Sequence, residues 1–284
     1  MFEQKEPVSH YVKVDDYEIH VTEWGVDNAP CILMWHGLAR TGRDFDHLAQ
    51  VLSKTYRILC PDTLGRGLSQ WSTHPEKEYC FDFYEKIALK ICEIFGFYNF
   101  DYIGTSMGGA LGMRLAGGPL KGNINRLVIN DIAPEVAPTA VERILTYVGN
   151  PPSFQNIGEL EEYLRTIYEP YGYLTDEQWR LMTETSYRRM DNGQITPHYD
   201  PNIVKQFSEH PDDYNLWGHY NQIEAETLVL RGATSDLLLA EWAQQMTEVG
   251  PKAHLIEIPG CGHAPALNRS QQTHIIETFL EHDT

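Results

Sequence analysis

The fold is decided by the stretch FDYIGTSMG, residues 100–108. Phe100–Ile103 is aromatic and β-branched, which predicts a short strand, whereas Met107–Ala116 is a run of small and apolar residues typical of a helix. The Gly-x-Ser-x-Gly pentapeptide between them puts Ser106 at the tip of a sharp turn, where crowding requires neighbours without Cβ. The pattern predicts that Ser106 is a nucleophile at the end of a buried strand. For this stretch alone, a plain Gly/Ser loop is the alternative.

Apolar runs and helical runs alternate along most of the chain. Two extended segments at the start, Tyr11–Val14 and Tyr17–Trp24, resemble a hairpin. The strands expected after them are Cys31–Trp35, Tyr56–Cys60, Arg126–Asn130, Thr227–Arg231 and His254–Ile258. The expected helices run from Thr41 to about Ser53, from about Tyr79 to Phe95 and from about Asn268 to His282. This alternation predicts an α/β fold with a mostly parallel sheet and right-handed crossovers.

Residues 134–220 interrupt the alternation, because they contain no strong strand pattern. Two capping boxes, Thr139-x-x-Glu142 and Thr175-x-x-Gln178, predict helices instead. Nine of the 16 tyrosines lie here, together with Phe154, Trp179, Phe207 and Trp217. These aromatic side chains either line a substrate cavity or form the insertion's own core, and packing is the expectation for most of them. We therefore predict a helical cap at 134–220 on an α/β core formed by 1–133 and 221–284.

The charge balance limits the partners. The chain of 284 residues has 40 acidic and 22 basic side chains, which give a formal charge of −18. Such a field repels phosphate backbones and anionic lipid surfaces, so neither nucleic acid nor a membrane is expected as a partner. No apolar run reaches the roughly 18 residues that a membrane-spanning helix needs.

The N-terminus and the cysteines favour a cytoplasmic protein. The first ten residues, MFEQKEPVSH, are polar and mixed in charge, and they lack the basic-then-apolar pattern of a signal peptide. The five cysteines are odd in number and show no Cys-x-x-Cys spacing. A reduced and mostly buried set of thiols is therefore expected.

A serine hydroxyl needs a base within hydrogen-bond reach, and the base needs an orienting carboxylate. His263 follows the last predicted strand in a glycine-flanked loop and is the expected base. Asp236 follows the strand 227–231 and is the expected acid, which gives the chain order Ser, Asp, His. Asp131 follows an earlier strand and is the rival acid. We place it second because Asp236 lies one strand before the histidine.

Acyl transfer also needs backbone N–H donors for the oxyanion of the tetrahedral intermediate. The amide of Met107, directly after the nucleophile, is one expected donor. The amide of Leu38, in the loop after the strand 31–35, is the other. Gly37 lets this loop pass close to the substrate oxygen, and His36 is expected to hold the loop rather than to act as a base.

No other motif indicates a metal site or a phosphate site. The sequence has no His-Glu-x-x-His motif and no cluster of Cys and His, and Gly65-Arg66-Gly67 lacks the continuation of a phosphate-binding loop. Cys261 lies beside the predicted base without an elbow around it, so we expect a packed thiol. No metal is therefore expected.

Together these pieces resemble the α/β-hydrolase superfamily over nearly the whole chain. The matching residues are His36-Gly37, Pro61-Asp62-x-x-Gly65-x-Gly67-x-Ser69, Gly104–Gly109, Asp236 and Gly262-His263. The resemblance is to the bacterial branch with a helical cap, which includes carboxylesterases, enol-lactonases and the meta-cleavage-product hydrolases that split carbon–carbon bonds. It implies an eight-stranded, mostly parallel sheet flanked by helices, no cofactor, and a site between core and cap.

Differences from the motifs of related enzyme groups reduce the number of activities to be expected. Ser106 argues against the dehalogenases and most epoxide hydrolases of this fold, which carry Asp at the elbow. Meta-cleavage hydrolases have a sequence similar to Gly-x-Gly-Pro-Gly after the first histidine. They also have a tryptophan directly after the catalytic histidine. This chain instead has Gly37-Leu38-Ala39-Arg40 and His263-Ala264-Pro265.

The sequence therefore predicts a carboxylic-ester hydrolase that acts on a small-molecule ester or lactone through an acyl-enzyme on Ser106. A lactonase or a carbon–carbon hydrolase that uses the same residues is the alternative. A third possibility, from another class, is a ligand-sensing or signalling protein that keeps the fold without turnover. The protein is expected to be a monomer or a homodimer.

Overall fold

The computed structural model describes residues 6–281, which form one eight-stranded and one two-stranded sheet. The strands are β1 (Val8–Val14), β2 (Tyr17–Trp24), β3 (Cys31–Trp35), β4 (Arg57–Pro61), β5 (Phe100–Thr105), β6 (Ile124–Asn130), β7 (Tyr187–Arg189), β8 (Ile195–Pro197), β9 (Glu226–Gly232) and β10 (His254–Ile258). The large sheet has the order β1-β2-β4-β3-β5-β6-β9-β10. Strand β2 is antiparallel to both neighbours, and the remaining pairs are parallel. The predicted fold class is confirmed.

Helices connect the strands. Within the described residues they are α1 (Asp46–Leu52), α2 (Pro75–Glu78), α3 (Phe81–Phe95), α4 (Met107–Ala116), α5 (Pro138–Val148), α6 (Ile157–Ile167), α7 (Asp176–Glu184), α8 (Lys205–Glu209), α9 (Trp217–Tyr220), α10 (Ala240–Glu248) and α11 (Ser270–Glu281). Short 3₁₀ turns occupy Gly42–Phe45, Glu169–Tyr171 and Pro201–Val204. Across residues 6–281, none of the helices combines the length and the apolar character needed to cross a bilayer.

Most element boundaries follow the sequence pattern. β3, β10 and α4 begin and end where predicted. The helix expected from Thr41 is instead a 3₁₀ turn, capped by the Thr41 side chain, that leads into α1. The predicted final helix ran to His282, which lies outside the described residues, as does the first half of the N-terminal segment MFEQKEPVSH.

The segment between β6 and β9 holds α5 to α9 and the hairpin of β7 and β8. The hairpin corrects the all-helical expectation, because strands of three residues are too short to show a period-two pattern. The capping box of Thr175 and Gln178 is confirmed. The one at Thr139 is wrong, because Pro138 opens α5 and Ala137 is its N-cap. The division of the chain into core and cap stays a prediction.

The aromatic side chains of this segment pack in two clusters. Trp179 joins Leu160 and Leu164 in a cluster of the segment's own, with Phe154 against it. Phe207 and Trp217 instead pack against the main core. The five cysteines are free thiols, and four of them are buried, as their number and spacing predicted.

Neighbouring parallel strands bring distant loops together. Thr105 of β5 pairs with Asn130 of β6, and β6 pairs with β9, which pairs with β10. Because parallel strands end at one edge of a sheet, the loops after these four strands share that edge. In open α/β sheets, ligands bind outside the carboxyl ends of the strands. This edge is therefore where a site is expected.

Candidate active site

A sharp turn between β5 and α4 holds Ser106. Its backbone has φ 53° and ψ −119°, a conformation that residues other than glycine rarely adopt. A Cβ on Gly104 would lie 2.3 Å from the carbonyl oxygen of Gly108, and a Cβ on Gly108 would lie 2.0 Å from that of Trp35. The two glycines let α4 start directly against β5 and β3, which produces the elbow that the sequence predicts.

Ser106, His263 and Asp131 form a hydrogen-bonded series. The Oγ of Ser106 lies 2.9 Å from the Nε2 of His263. The Nδ1 of His263 lies 2.8 Å from the Oδ2 of Asp131. When Nδ1–H donates to the carboxylate, Nε2 is left to accept the serine proton. The arrangement has the geometry that activates a serine hydroxyl.

Asp131 is the acid of this series, which corrects the expectation of Asp236. The side chain is fully buried at the carboxyl end of β6. Its Oδ1 accepts the N–H of Gly232 at 2.7 Å, and its Oδ2 accepts the hydroxyl of Ser235 at 2.6 Å as well as the imidazole. These donors fix both oxygens, so the carboxylate presents a defined face to His263.

Asp236, in the loop between β9 and α10, lines the same cavity as His263, but its carboxylate pairs with another residue. Its carboxylate forms a two-pronged ion pair with Arg143 of α5, with Nε–Oδ2 at 2.8 Å and Nη2–Oδ1 at 3.0 Å. Its side chain is 54% exposed. The physical reason is the course of the chain after β9, which directs the Gly232 N–H and the Ser235 hydroxyl towards Asp131. Asp131 therefore occupies the place beside the Nδ1 of His263.

His36 holds the loop after β3, as expected. It is buried, and its Nδ1 lies 2.7 Å from the carbonyl oxygen of Gly37 while its Nε2 accepts the N–H of Thr63 at 2.9 Å. Burial lowers the pKa of His36 from 6.5 to about 4, so the imidazole is neutral at neutral pH. Both ring nitrogens are occupied by these contacts, which leaves neither for base chemistry.

Leu38 and Met107 flank Ser106. Met107 opens α4, so its N–H has no partner within the helix. For Leu38, the backbone hydrogen bonds of the described residues include none from its N–H. A Cβ on Gly37 would lie 3.7 Å from the Cβ of Ser106, so the loop passes directly beside this serine. This placement suits an oxyanion hole, and the role of the two amides stays a prediction.

Arg66 links the two segments that carry these amides. It is fully buried, and its Nε donates to the carbonyl oxygen of Leu38 at 2.8 Å. Its Nη1 donates to the hydroxyl of Tyr84 at 2.8 Å, and its Nη2 lies 3.5 Å from the sulfur of Met107. The sequence offered Arg66 only as part of a motif, because its contacts join residues far apart in the chain.

A cavity of about 410 Å³ opens on Ser106 and His263, within the usual range for small-molecule sites. Its walls come from the loops after β3, β9 and β10 and from α5 and residues 167–171 of the insertion. Three tyrosines of the insertion line the cavity, namely Tyr147, Tyr168 and Tyr171. Phe154, Trp179, Phe207 and Trp217 are not among the lining residues.

Charged side chains also line the cavity, and the sequence reasoning assigned three of them no role. Arg40, Arg143 and Glu169 stand in its wall together with Asp236. The signal for Arg40 was its place directly after His36-Gly37-Leu38, the loop that faces the nucleophile. Arg143 carries no such signal, because only the folded chain brings α5 over the site.

Comparison with known proteins agrees with this architecture. Residues 32–273 match the Alpha/beta hydrolase family. The chain is 38% identical over 272 residues to a 3-hydroxybutyrate-oligomer hydrolase of Cupriavidus necator, with 91% of each chain covered. It is 22% identical over 257 residues to a 2-(acetamidomethylene)succinate hydrolase of Mesorhizobium japonicum, covering 90% of this chain and 88% of the other.

A solved structure is similar over nearly its whole length. The crystal structure of an alpha/beta hydrolase from Novosphingobium aromaticivorans superimposes with a TM-score of 0.87 at 31% identity, covering 97% of this chain and 98% of the other. The family match spans most of the chain, and the Cupriavidus necator relative covers nearly all of it. This chain belongs to the alpha/beta hydrolase family.

Proposed function

We propose that this protein hydrolyses carboxylic esters through an acyl-enzyme on Ser106. The observation that carries the proposal is the series Ser106–His263–Asp131, with contacts of 2.9 and 2.8 Å, whose serine and histidine line a cavity of about 410 Å³. A nucleophile, a base and an orienting acid in hydrogen-bond contact are the parts that acyl transfer needs.

In the first half of the reaction, the Oγ of Ser106 attacks the ester carbonyl while its proton passes to the Nε2 of His263. The amides of Leu38 and Met107 hold the oxyanion, and Asp131 stabilises the imidazolium. The intermediate collapses, the carbon–oxygen bond to the alcohol breaks, and His263 gives its proton to the leaving oxygen. Ser106 is left acylated.

In the second half, His263 takes a proton from a water molecule that attacks the acyl carbon. The second tetrahedral intermediate breaks its bond to Ser106, and the proton returns to the serine oxygen. The products are the free acid and the regenerated hydroxyl, so no cofactor enters the balance.

Short oligomers of 3-hydroxybutyrate are the substrates that we propose. The support is the Cupriavidus necator relative, a 3-hydroxybutyrate-oligomer hydrolase 38% identical over 272 residues. A linear oligomer of this kind is a chain of carboxylic esters with a hydroxyl group at one end and a carboxylate at the other. The tyrosines and arginines in the cavity wall suit such a polar chain.

The test compares wild type with Ser106→Ala on the 3-hydroxybutyrate dimer and trimer, on p-nitrophenyl acetate and on lactones of similar size. We expect the oligomers to have the highest kcat/KM and the variant to lose at least about 10³-fold in kcat. Ser208→Ala, at an exposed serine of α8, is the control and should retain wild-type rates.

Three results would contradict the proposal. Turnover above about one per cent in Ser106→Ala would remove the acyl-enzyme mechanism. Lactones preferred over the oligomers by orders of magnitude would assign a lactonase. No turnover of any ester by the folded wild type would point instead to a protein that binds ligands without hydrolysing them.

A further inference from the structure

The cavity contains two cationic and two anionic side chains, although the molecule as a whole is strongly acidic. The whole chain carries a formal charge of −18, a field that opposes the approach of an anionic ligand. The described residues that line the cavity nevertheless include two arginines, Arg40 and Arg143. An anionic substrate would need at least one of these guanidinium groups to be available.

The guanidinium group of Arg40 is already paired with a carboxylate of the protein. Its Nε lies 2.8 Å from the Oδ2 of Asp44 and its Nη2 lies 2.5 Å from the Oδ1, which is a two-pronged pair. The Arg40 side chain is only 4% exposed, and its guanidinium lies 4.8 Å from the ring centre of Tyr168. Breaking a buried ion pair would leave one charge unpaired and without water around it. Arg40 therefore stays paired with Asp44 and is not available to bind a ligand.

Arg143 is held by an exchangeable partner. Its two-pronged pair with Asp236 joins side chains that are 43% and 54% exposed. Exposed ion pairs contribute little to stability, because water solvates both charges once they separate. Asp236 can therefore turn away into solvent without leaving a buried charge unpaired.

A ligand carboxylate has the same shape as the side chain of Asp236. The planar guanidinium fork can donate two parallel hydrogen bonds to any carboxylate in the same geometry. Arg143 and Ser106 line one cavity, so a molecule can occupy both at once. The neighbouring wall adds Tyr147, on the same helix, whose pKa is raised to about 12 by burial. Its hydroxyl keeps its proton and can donate a hydrogen bond to an anion.

We propose that Arg143 forms a carboxylate subsite, in which the free carboxylate end of the substrate displaces Asp236. This inference rests on the proposed ester hydrolysis and specifies its substrate class as esters that carry a carboxylate. A linear oligomer has one such end, so Arg143 fixes which ester bond lies over Ser106. The protein then cuts at a set distance from the carboxylate end rather than at random.

The test compares two substrates that differ only at this end, namely the 3-hydroxybutyrate dimer and its methyl ester. We expect wild type to favour the free acid in kcat/KM and Arg143→Gln to reduce that preference at least tenfold, mainly through KM. Asp236→Asn, which removes the competing carboxylate, should increase the preference. Arg165→Gln is the matched control, because Arg165 of α6 is also partly exposed and ion-paired, with Glu161 and Asp176, but does not line the cavity.

Binding gives a readout that does not depend on turnover. In the Ser106→Ala background, calorimetry should give a Kd for the free dimer that is at least tenfold weaker with Arg143→Gln and unchanged with Arg165→Gln. Equal Kd values with and without Arg143, or no binding of the dimer at all, would overturn the subsite. Loss of binding in Arg143→Gln without any wild-type turnover would support the subsite and overturn the ester hydrolysis.

Discussion

At the scale of single residues, Asp131 and Asp236 make contrasting predictions. Asp131→Asn removes the charge that faces the Nδ1 of His263, so the imidazole no longer holds the tautomer that accepts the serine proton. We expect kcat for p-nitrophenyl acetate to fall about 10³- to 10⁴-fold. Asp236→Asn should change it by less than about threefold, because that side chain is exposed and contacts Arg143.

Urea denaturation of both variants controls for folding. Asp131 accepts bonds from Gly232 and Ser235, so the Asn variant is compared only where it is fully native. Equal losses of kcat in the two variants, or a larger loss in Asp236→Asn, would show that the carboxylate beside His263 in the structure is not the one that orients it.

The same pair of residues shows how far the sequence predicts the site. Ser106 is predictable because the elbow requires glycine at positions 104 and 108, close to the serine in the sequence. The acid is not, because both aspartates lie between Ser106 and His263 in the chain and both follow strands. The deciding contacts are those of the loop after β9, where Ser235 binds Asp131 and Asp236 binds Arg143. These contacts result from long-range packing and have no signature at either aspartate.

At the scale of elements, the contact of α4 with β3 depends on Gly108. Alanine is the better helix former, so propensity alone would favour Gly108→Ala. The added Cβ would lie 2.0 Å from the carbonyl oxygen of Trp35, which is backbone and cannot move aside cheaply. We expect the clash to dominate and to lower the free energy of unfolding by about 3 kcal/mol or more.

Gly218→Ala is the matched control for that measurement. Gly218 also lies in a helix, α9, but apart from its chain neighbours and the backbone of that helix, a Cβ there would meet no atom of residues 6–281 within 4 Å. We expect this variant to be as stable as wild type or to gain up to about 1 kcal/mol. If urea denaturation gave the two alanine variants the same stability, close packing at the elbow would not be the reason for its glycine.

Element prediction succeeds where the signal is long and local. The run Cys31–Trp35 is continuous and apolar, and its predicted ends are those of β3. The hairpin of β7 and β8 escapes detection because its strands are short and lie in a polar segment. At α5 the Thr139 box misleads, since the proline at 138 sets the start of the helix more strongly than a threonine inside it.

At the scale of the whole molecule, the site is assembled from segments that lie far apart in the chain. The loop after β3 brings Gly37 and Leu38, the elbow brings Ser106, and the ends of β6 and β10 bring Asp131 and His263. The insertion then covers them through α5 and residues 167–171. Stability and activity are therefore linked, because loosening any of these elements changes the geometry of the others.

Two buried groups act on this stability in opposite directions below pH 7. Burial lowers the pKa of His36 from 6.5 to about 4, so the unfolded chain takes up that proton first. Stability is then lost as the pH falls, by about 3 kcal/mol in total. Burial raises the pKa of Asp101 from 3.8 to about 6, so the folded state takes up that proton first. Stability is gained as the pH falls, again by about 3 kcal/mol.

Asp101→Asn should therefore expose the contribution of His36. In wild type, the stability lost through His36 and the stability gained through Asp101 offset each other between pH 6 and 4. The variant keeps only the loss through His36. We expect the free energy of unfolding of Asp101→Asn to fall by about 2 kcal/mol more than that of wild type between pH 7 and pH 4.5, measured by urea denaturation. Asp16→Asn, at an exposed turn, is the control and should follow wild type. Parallel pH profiles for Asp101→Asn and wild type would show that the carboxyl at 101 does not gain its proton on folding, and the compensation would have to be abandoned.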